Sequence, residues 1–279
     1  MVLAVCAALL GPALFGIALG YTSPCLTPLA ADMGLTTLQA STFASVINLG
    51  AVCSGLFGMR YVETLGRKTC LIVTGALYAA GFGAIATCGS YPELLVARFV
   101  TGLGAGLATV VTPCYIAEIS PAARRGALGS LYQLFCTLGI LAAYGLGGVF
   151  HWRYLASLTA GLSMVLVVVC QMLLPETSAW LDKSGRTDEA GAWRRGLALA
   201  ESSPAPDTPT AAPDGGAGGG MSKAALRRAL LLVGGMMVLQ QLSGINCILF
   251  FSGEILAKAG LGQDVSACLL QTSAPAICR

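Results

Sequence analysis

Long apolar runs separated by short polar connections are the dominant pattern along this chain. Seven runs are long enough to cross a bilayer, since a spanning helix needs about 20 mostly apolar residues. They lie at roughly 3–23, 41–59, 70–89, 94–114, 128–149, 154–174 and 229–252. An eighth begins near Val265 but reaches Pro275 too soon to span. The pattern predicts an all-α, polytopic membrane protein.

A polar string interrupts the seventh run. It contains Gln240, Gln241, Ser243 and Asn246, and amides inside a span are costly unless they face water, a ligand or each other. Amides both donate and accept hydrogen bonds, so they suit a ring of hydroxyls better than an ion. On a continuous helix Gln241 and Asn246 would point about 140° apart. Both can meet one neutral, polyhydroxylated solute only if the helix breaks, and Ser243-Gly244 is the expected break.

Composition excludes several classes of protein. Hydrophobic residues make up 56% and charged residues 10% of the chain, against about 25% charged residues in soluble domains. The net charge of +3 is too small to indicate a nucleic-acid partner. Most of the eleven cysteines lie in apolar runs and act as small hydrophobes, while any pairing of Cys25, Cys88 and Cys268 stays open. The sequence shows no metal-ligand cluster, phosphate loop or nucleophile–base pair, so we expect no enzyme, no metal and no cofactor.

The basic residues predict the orientation of the chain in the membrane. They follow the even-numbered runs, at 60–68, at 124–125 and in the long connection 175–228. Cytoplasmic loops carry an excess of Lys and Arg, so this pattern predicts a cytoplasmic N-terminus. It also excludes a G-protein-coupled receptor, whose cytoplasmic loops follow odd-numbered spans. The first run lacks a basic n-region and a cleavage site, so no removable signal peptide is expected.

The connection after the sixth run divides the chain into three parts. Residues 1–174 are predicted to form a six-helix transmembrane half, and 175–228 a cytoplasmic connection. Residues 229–279 contain span seven and an incomplete C-terminal half. Within the connection, 176–200 has the composition of short surface helices and 204–220 that of a disordered linker. This arrangement is typical of transporters with two halves, each built from inverted three-helix repeats.

Charged residues at the predicted cytoplasmic face form candidate gate contacts. The segment 58–68 resembles the signature between spans two and three of major facilitator transporters, although Glu63 replaces the usual Asp. We expect a charge network that closes when the two halves meet. Its predicted members are Glu63, Gly66, Arg67, Lys68, Glu118, Arg125 and Glu176. Exposed ion pairs contribute about 0–1 kcal/mol each, so such a network biases a gate without holding the fold together.

Span four contains an arginine among glycines. Gly102, Gly104 and Gly106 are expected to permit close helix packing. Arg98 is an intramembrane charge, which costs roughly 2.5–3.5 kcal/mol at the centre of a span on insertion scales. It lies near the non-cytoplasmic end, so partial snorkelling is the bland alternative for this side chain. In an isolated half, we expect Arg98 and Gln133 to turn toward lipid or an empty cavity.

Several motifs together resemble the sugar porter family, the facilitative hexose transporters. They are Pro113-x-Tyr115-Ile116-x-Glu118-Ile119-x-Pro121, Arg125-Gly126, Gln133-Leu134, Trp152-Arg153, Pro175-Glu176-Thr177 and the string from Gln240 to Asn246. Residues 20–24 look like the branch that holds intracellular hexose transporters and insect trehalose transporters. The resemblance implies a major facilitator fold, here the N-terminal six-helix half plus a seventh helix.

The resemblance also implies which residues contact sugar. Gln133, Gln240, Gln241 and Asn246 would bind hydroxyls, and Ile140 and Ile245 would line the apolar side. The alternative for the amides is interhelical adhesion, worth roughly 0.6 kcal/mol apiece. The chain departs from the family at Ser178-Ala179, where Pro-Arg is usual, and at Phe250-Phe251, which lack hydroxyls. Thr22 stands where proton-coupled relatives carry Asp, which favours facilitated diffusion over symport.

A complete transporter of this kind has twelve spans, whereas this sequence contains seven. We therefore expect a truncated sugar transporter that does not transport alone. Its expected partners are a small neutral sugar and the lipid bilayer, not nucleic acid. One alternative is a non-transporting protein that associates with full-length transporters and inhibits them; another is a transporter of a different polar solute. Glucose, fructose and trehalose stay open, as do the plasma membrane and an intracellular vesicle membrane.

Overall fold

The computed structural model describes residues 2–120, 124–189, 191 and 223–258. The helices named here are α1 (Val2–Gly20), α2 (Thr22–Met33), α3 (Thr37–Leu65), α4 (Arg67–Thr87), α5 (Tyr91–Ile119), α6 (Arg125–Gly147), α7 (Trp152–Leu173), α8 (Ser178–Lys183), α9 (Lys223–Leu242) and α10 (Ile245–Lys258). No strand occurs in these described ranges. The all-α prediction is confirmed.

The spans agree with the predicted number, with one difference in length. Helices α3 to α7 and the stretch Arg227–Gly253 are each long and apolar enough to cross a membrane. Helices α1 and α2 form a further span if the pair is counted as one, bent by 48°. The first span was predicted to end at residue 23, but helix continues to Met33. Hydropathy missed this part because Thr22 and Ser23 are polar, yet both are buried in the bundle.

Helix α5 lies at the centre of the bundle. It packs against α3 and α4, while α4 also packs against α7 and α1 packs against α6. The approach of α3 and α5 is close enough for backbone contact: a Cβ on Gly102 would lie 2.3 Å from the carbonyl oxygen of Ile47. The close packing expected of this glycine is therefore confirmed.

Span seven is divided between two environments. Helix α10 packs against α2 and, to a lesser extent, α1, whereas α9 has its main contacts with α10. The side chains of α9 from Leu230 to Leu242 are exposed. The predicted linker at 204–220 and the apolar run near Val265 lie outside the described residues.

Candidate functional site

The polar string of span seven is broken where the sequence predicts. Helix α9 ends at Leu242, and Gly244 has φ +73°, in the left-handed region that favours glycine. Across the break, the Asn246 Nδ2 donates to Gln241 Oε1 at 3.1 Å. The predicted break is confirmed, and it brings together two amides that a continuous helix would hold on different faces.

One face of α6 carries the candidates from span five. Gln133, Ile140 and Tyr144 lie within about 40° of one another around the helix. Gln133 is exposed and Ile140 is half-buried. The Tyr144 hydroxyl donates to the Leu249 carbonyl at 2.9 Å, so this end of the face meets α10. Tyr144 was missed from the sequence, although its spacing from Gln133 and Ile140 was a usable signal.

The predicted sugar contacts are only partly assembled. Gln240 and Gln241 are exposed, Ile245 is 39% exposed, and Asn246 is half-buried. The structure brings Gln241 and Asn246 together, whereas within the described ranges no hydrogen bond joins Gln133 to either of them. Their role in sugar binding stays a prediction.

Arg98 is fully buried inside the bundle. Its Nη2 donates to the Ala18 carbonyl at 3.2 Å and to the Thr22 hydroxyl. Its Cζ lies 5.7 Å from the centre of the Tyr21 ring and 5.1 Å from that of Phe43. The expectation that Arg98 snorkels or turns toward lipid is wrong, because the bent first span supplies acceptors and aromatic faces beside it. Its Nε and Nη1 have no hydrogen-bond partner among the described residues.

Charged groups from three segments meet at the end of the bundle that carries the basic loops. Arg67 donates to Glu118 Oε1 from Nε at 3.1 Å and from Nη2 at 2.8 Å. Glu176 Oε1 accepts the backbone N–H groups of Arg67 at 2.8 Å and Lys68 at 3.1 Å. This carboxylate therefore caps the N-terminus of α4, where the helix dipole favours negative charge. Gly66 has φ +91° and allows the carboxylate to approach.

Helix α8 extends this cluster to the end of α3. Lys183 Nζ lies 3.0 Å from Glu63 Oε2, and Trp180 Nε1 donates to the Glu63 carbonyl at 3.2 Å. Arg125 is exposed and has no ion pair in the described part of the chain, so the structure does not join it to its predicted partners. We call the Glu63–Lys183, Arg67–Glu118 and Glu176 contacts the charge network.

The opposite end of the bundle carries a polar cluster that the sequence did not reveal. Asp32 Oδ2 accepts from Trp152 Nε1 at 2.8 Å and lies 2.8 Å from His151 Nε2. Arg153 donates to the Cys88 carbonyl at 3.1 Å. Burial raises the pKa of the Cys88 thiol, although Arg153 opposes this shift.

The described cysteines answer one part of the open pairing question. Cys25 and Cys88 are both free thiols, so they do not pair with each other. Cys268 lies outside the described residues.

Comparison of sequences gives a family match over nearly the whole chain. A sequence profile described as Sugar (and other) transporter matches residues 3–277. Mouse solute carrier family 2, facilitated glucose transporter member 8 is 38% identical over 258 residues, which cover 91% of this chain and 54% of that protein. Sugar transporter ERD6-like 6 of Arabidopsis thaliana is 34% identical over 266 residues, covering 92% and 54%. The chain spans about half the length of the curated relatives it matches.

Solved structures show the same fold. The partially occluded, inward-open xylose transporter XylE from E. coli matches with TM-score 0.71 and 20% identity, covering 97% of this chain and 68% of that one. A second structure shows XylE, a protein of the major facilitator superfamily, bound to 6-bromo-6-deoxy-D-glucose. It matches with TM-score 0.73 and 23% identity, covering 97% of this chain and 65% of that one. The predicted major facilitator architecture is confirmed.

Proposed function

This multi-pass membrane chain belongs to the sugar transporter family, and on that premise we propose that it forms the first half of a pathway for a neutral sugar. Span seven contributes the first helix of the second half, and alternating access moves a hexose or trehalose across the membrane. The observation that supports this most is the Gln241–Asn246 pair at the break of span seven.

The amide pair has the hydrogen-bonding capacity that a sugar requires. Each amide offers two N–H donors and one carbonyl acceptor. Only one hydrogen bond joins Gln241 to Asn246. Both side chains therefore keep donors and acceptors that can bind the hydroxyl groups of a sugar. In the proposed site Gln133 adds a third amide from α6, and Ile140 and Ile245 cover the apolar side of the sugar ring.

The surroundings of Arg98 favour facilitated diffusion. Proton coupling requires a titratable group in the pathway, whereas the acceptors that Arg98 reaches are a carbonyl and the Thr22 hydroxyl. Neither of these groups titrates in the physiological range. We therefore propose that sugar moves down its own gradient.

The charge network supports an orientation with a cytoplasmic N-terminus. It lies at the end with the basic loops, which are retained in the cytoplasm. The Arg67–Glu118 pair is partly buried, with 13% and 23% of the two side chains exposed. In the proposed cycle this network biases closure of the cytoplasmic gate.

A chimeric transporter tests the proposal. Residues 1–258 are joined to the part of the mouse relative that extends beyond the match, and the product is reconstituted into vesicles. We expect saturable uptake of tritiated D-glucose that L-glucose does not inhibit and a protonophore does not change. Inhibition of this uptake by unlabelled fructose and trehalose then shows which sugars the chimera prefers.

Variants of the chimera identify the site. Gln133→Leu, Gln241→Leu and Asn246→Leu should each lower uptake at least fivefold, since each leaves sugar hydroxyls unpaired at a cost of about 1–3 kcal/mol. Gln171→Leu is the matched control, because Gln171 lies at the end of α7 and its backbone carbonyl makes the observed contact with Lys68. Unchanged uptake by the triple leucine variant would refute the assigned site.

The exposure of α9 favours a second candidate function, association with a full-length transporter. From Leu230 to Leu242 the helix has exposed, mostly apolar side chains, and a partner bundle could cover them. Co-expression with the complete mouse relative tests this candidate. An inhibitory partner co-purifies with the relative and lowers its glucose uptake, whereas independent behaviour leaves that uptake unchanged.

A further inference from the structure

A groove lies on the outside of the bundle between α4 and α5, near the end opposite the charge network. Its volume is about 540 Å³, within the range of about 300–1,000 Å³ that is usual for small-molecule sites. Helix α4 contributes Ala80, Gly81 and Ala84, and α5 contributes residues between 92 and 100. Among the described residues, none from α9, α10 or the charge network lines it. The groove is therefore separate from the proposed sugar pathway.

Small side chains give the groove its shape. A Cβ on Gly81 would lie 2.8 Å from the backbone nitrogen of Thr101, so this glycine lets α4 approach α5 and close the floor of the groove. Ala80 and Ala84 are exposed on one wall, and Val96 is exposed on the other. The opening therefore faces the surroundings of the bundle, which in a membrane are lipid chains.

The groove has the length and polarity of an amphiphile. Residues 92 to 100 extend about 12 Å along α5 at 1.5 Å per residue, and the hydrocarbon of one leaflet is about 15 Å thick, half of the total. The lining is apolar except for Glu93, which lies in the first turn of α5. The groove thus matches a molecule with one apolar chain and a polar head at the membrane surface.

The charge of Glu93 determines which head fits. Its Oε2 accepts the Gly89 N–H at 3.0 Å, which holds the carboxylate beside the opening. Asp32, Glu63 and Glu118 each lie within 3.0 Å of a basic side chain. In the described part of the chain, Glu93 has no such partner. A carboxylate offers about four lone-pair sites, so a cation from outside the chain is its complementary ligand.

We propose that the groove binds a single-chain lipid with a protonated amine head, the chemistry of a sphingoid base. The ammonium group donates to Glu93, and the hydrocarbon chain lies between α4 and α5. Hydrogen bonds between charged groups are roughly twice as strong as neutral ones, and burial of the chain adds to the affinity. A phospholipid fits less well, because Glu93 repels its phosphate and because it brings two chains to a single groove.

Photolabelling of the 279-residue chain tests the site. The chain is placed in phosphatidylcholine nanodiscs with sphingosine that carries a diazirine and an alkyne in its hydrocarbon chain. We expect saturable labelling, with the modified peptide inside residues 80–100. The matched ligand is N-acetylsphingosine, which keeps the chain and both hydroxyls but has a neutral head. It should displace the probe at least fivefold less effectively than sphingosine, because its hydrogen bond to Glu93 lacks one of the two charges.

Two variants test the two parts of the groove. Glu93→Gln keeps a carbonyl oxygen but removes the charge, and it should weaken sphingosine binding at least fivefold. Ala84→Leu fills the space between the helices and should abolish labelling of residues 80–100. Both positions are exposed, so we expect the helix content measured by circular dichroism to stay unchanged.

Matched controls come from the same chain. Ala76→Leu adds the same side chain to α4, but Ala76 is exposed and does not line the groove. Glu189→Gln removes an exposed carboxylate that lies outside the groove. Both controls should bind sphingosine like the unchanged protein.

Labelling of residues 80–100 that survives both Glu93→Gln and Ala84→Leu overturns the proposal. Equal displacement by N-acetylsphingosine would assign the groove to apolar chains in general, and equal displacement by phosphatidylethanolamine or cholesterol would assign it to another lipid. Each of these results also overturns the amine-lipid site. The measurement contains no sugar, so its outcome does not depend on the proposed function.

Discussion

The guanidinium of Arg98 in α5 donates a hydrogen bond to the hydroxyl of Thr22 at the start of α2. Both side chains are fully buried, and the described chain offers Arg98 no carboxylate within ion-pair distance. The charge is held by a hydroxyl, a carbonyl and two aromatic faces. Cation–π contacts of this kind are worth about 2 kcal/mol when desolvated.

Loss of the Thr22 hydroxyl should destabilise the bundle. In Thr22→Val the guanidinium keeps only the Ala18 carbonyl, and an unpaired charged donor costs about 1–3 kcal/mol. We expect the melting temperature to fall by about 2–4 °C per kcal/mol, measured in detergent with a thiol-reactive dye. Thr42→Val is the control, because the Thr42 hydroxyl is exposed and bonds within its own helix. Equal melting temperatures for the two variants would contradict this account of Arg98.

Glu176 should contribute more stability than an ordinary surface carboxylate. Glu176→Gln removes the charge that faces the N-terminus of α4 and weakens two hydrogen bonds to backbone N–H groups. We expect a loss of about 1–2 kcal/mol. The matched control is Glu189→Gln, since Glu189 is exposed and pairs with Arg186 three residues away, a contact worth about 0.3–0.5 kcal/mol. Denaturation with and without 1 M NaCl measures the free energy of unfolding of both variants. The difference between their two stability losses should shrink in salt.

The close contact of α3 and α5 should not tolerate a methyl group. In Gly102→Ala the new Cβ would lie 2.3 Å from the Ile47 carbonyl oxygen, so the helices must separate, at a cost of about 1–3 kcal/mol. Gly83→Ala is the control: nothing lies within 4 Å of its added Cβ, and alanine favours helix by up to about 1 kcal/mol. The two melting temperatures should move in opposite directions. A melting temperature that does not fall in Gly102→Ala would show that this contact is loose.

The break of span seven should matter for sugar more than for folding. Gly244→Ala places a side chain at φ +73°, which costs about 1–2 kcal/mol, and a straightened helix separates Gln241 from Asn246. We expect the KM of the chimera for D-glucose to rise at least fivefold, while the melting temperature falls by about 2–4 °C per kcal/mol of this strain. Gly234→Ala, inside α9 with nothing near its added Cβ, should leave KM unchanged. A KM that is equal in both variants would argue against a binding role for the break.

The orientation can be tested with epitope tags. A tag inserted after Gly89, between α4 and α5, should be accessible to antibody from the non-cytoplasmic side of the membrane. A tag placed before Met1 should become accessible only after permeabilisation, because the basic loops are retained in the cytoplasm. The reverse pattern would contradict the positive-inside assignment.

The sequence was sufficient wherever local chemistry decides the structure. Apolar runs located the spans, and the Ser243-Gly244 pair located the break, since glycine tolerates the left-handed backbone that the break needs. The Arg67–Glu118 and Glu176 contacts were also predictable, because a cytoplasmic loop offers few other partners to those charges. Arg125 shows the limit of that reasoning: its charge suggested an ion pair that the described structure does not contain.

The features that the sequence did not predict depend on contacts between distant segments. Arg98 meets acceptors 76 and 80 residues away, and hydropathy cannot show that a bent first span presents them. Tyr144 meets Ser252 across 108 residues, so neither residue looks special in its own run. The orientation of a polar side chain in a span is set by which helices pack together, and one sequence alone does not specify that.

The pairing order of the helices has a consequence for biogenesis. Helix α1 packs mainly on α6, and α3 packs mainly on α5, so neither partner is the next helix to leave the ribosome. Membrane helices insert first and associate afterwards. The earliest segments must therefore wait in the lipid, with Arg98's acceptors exposed, until synthesis has passed α5. Packing of α1 and α3 is in that sense post-insertional, because each helix meets its main partner only after later helices have entered the membrane.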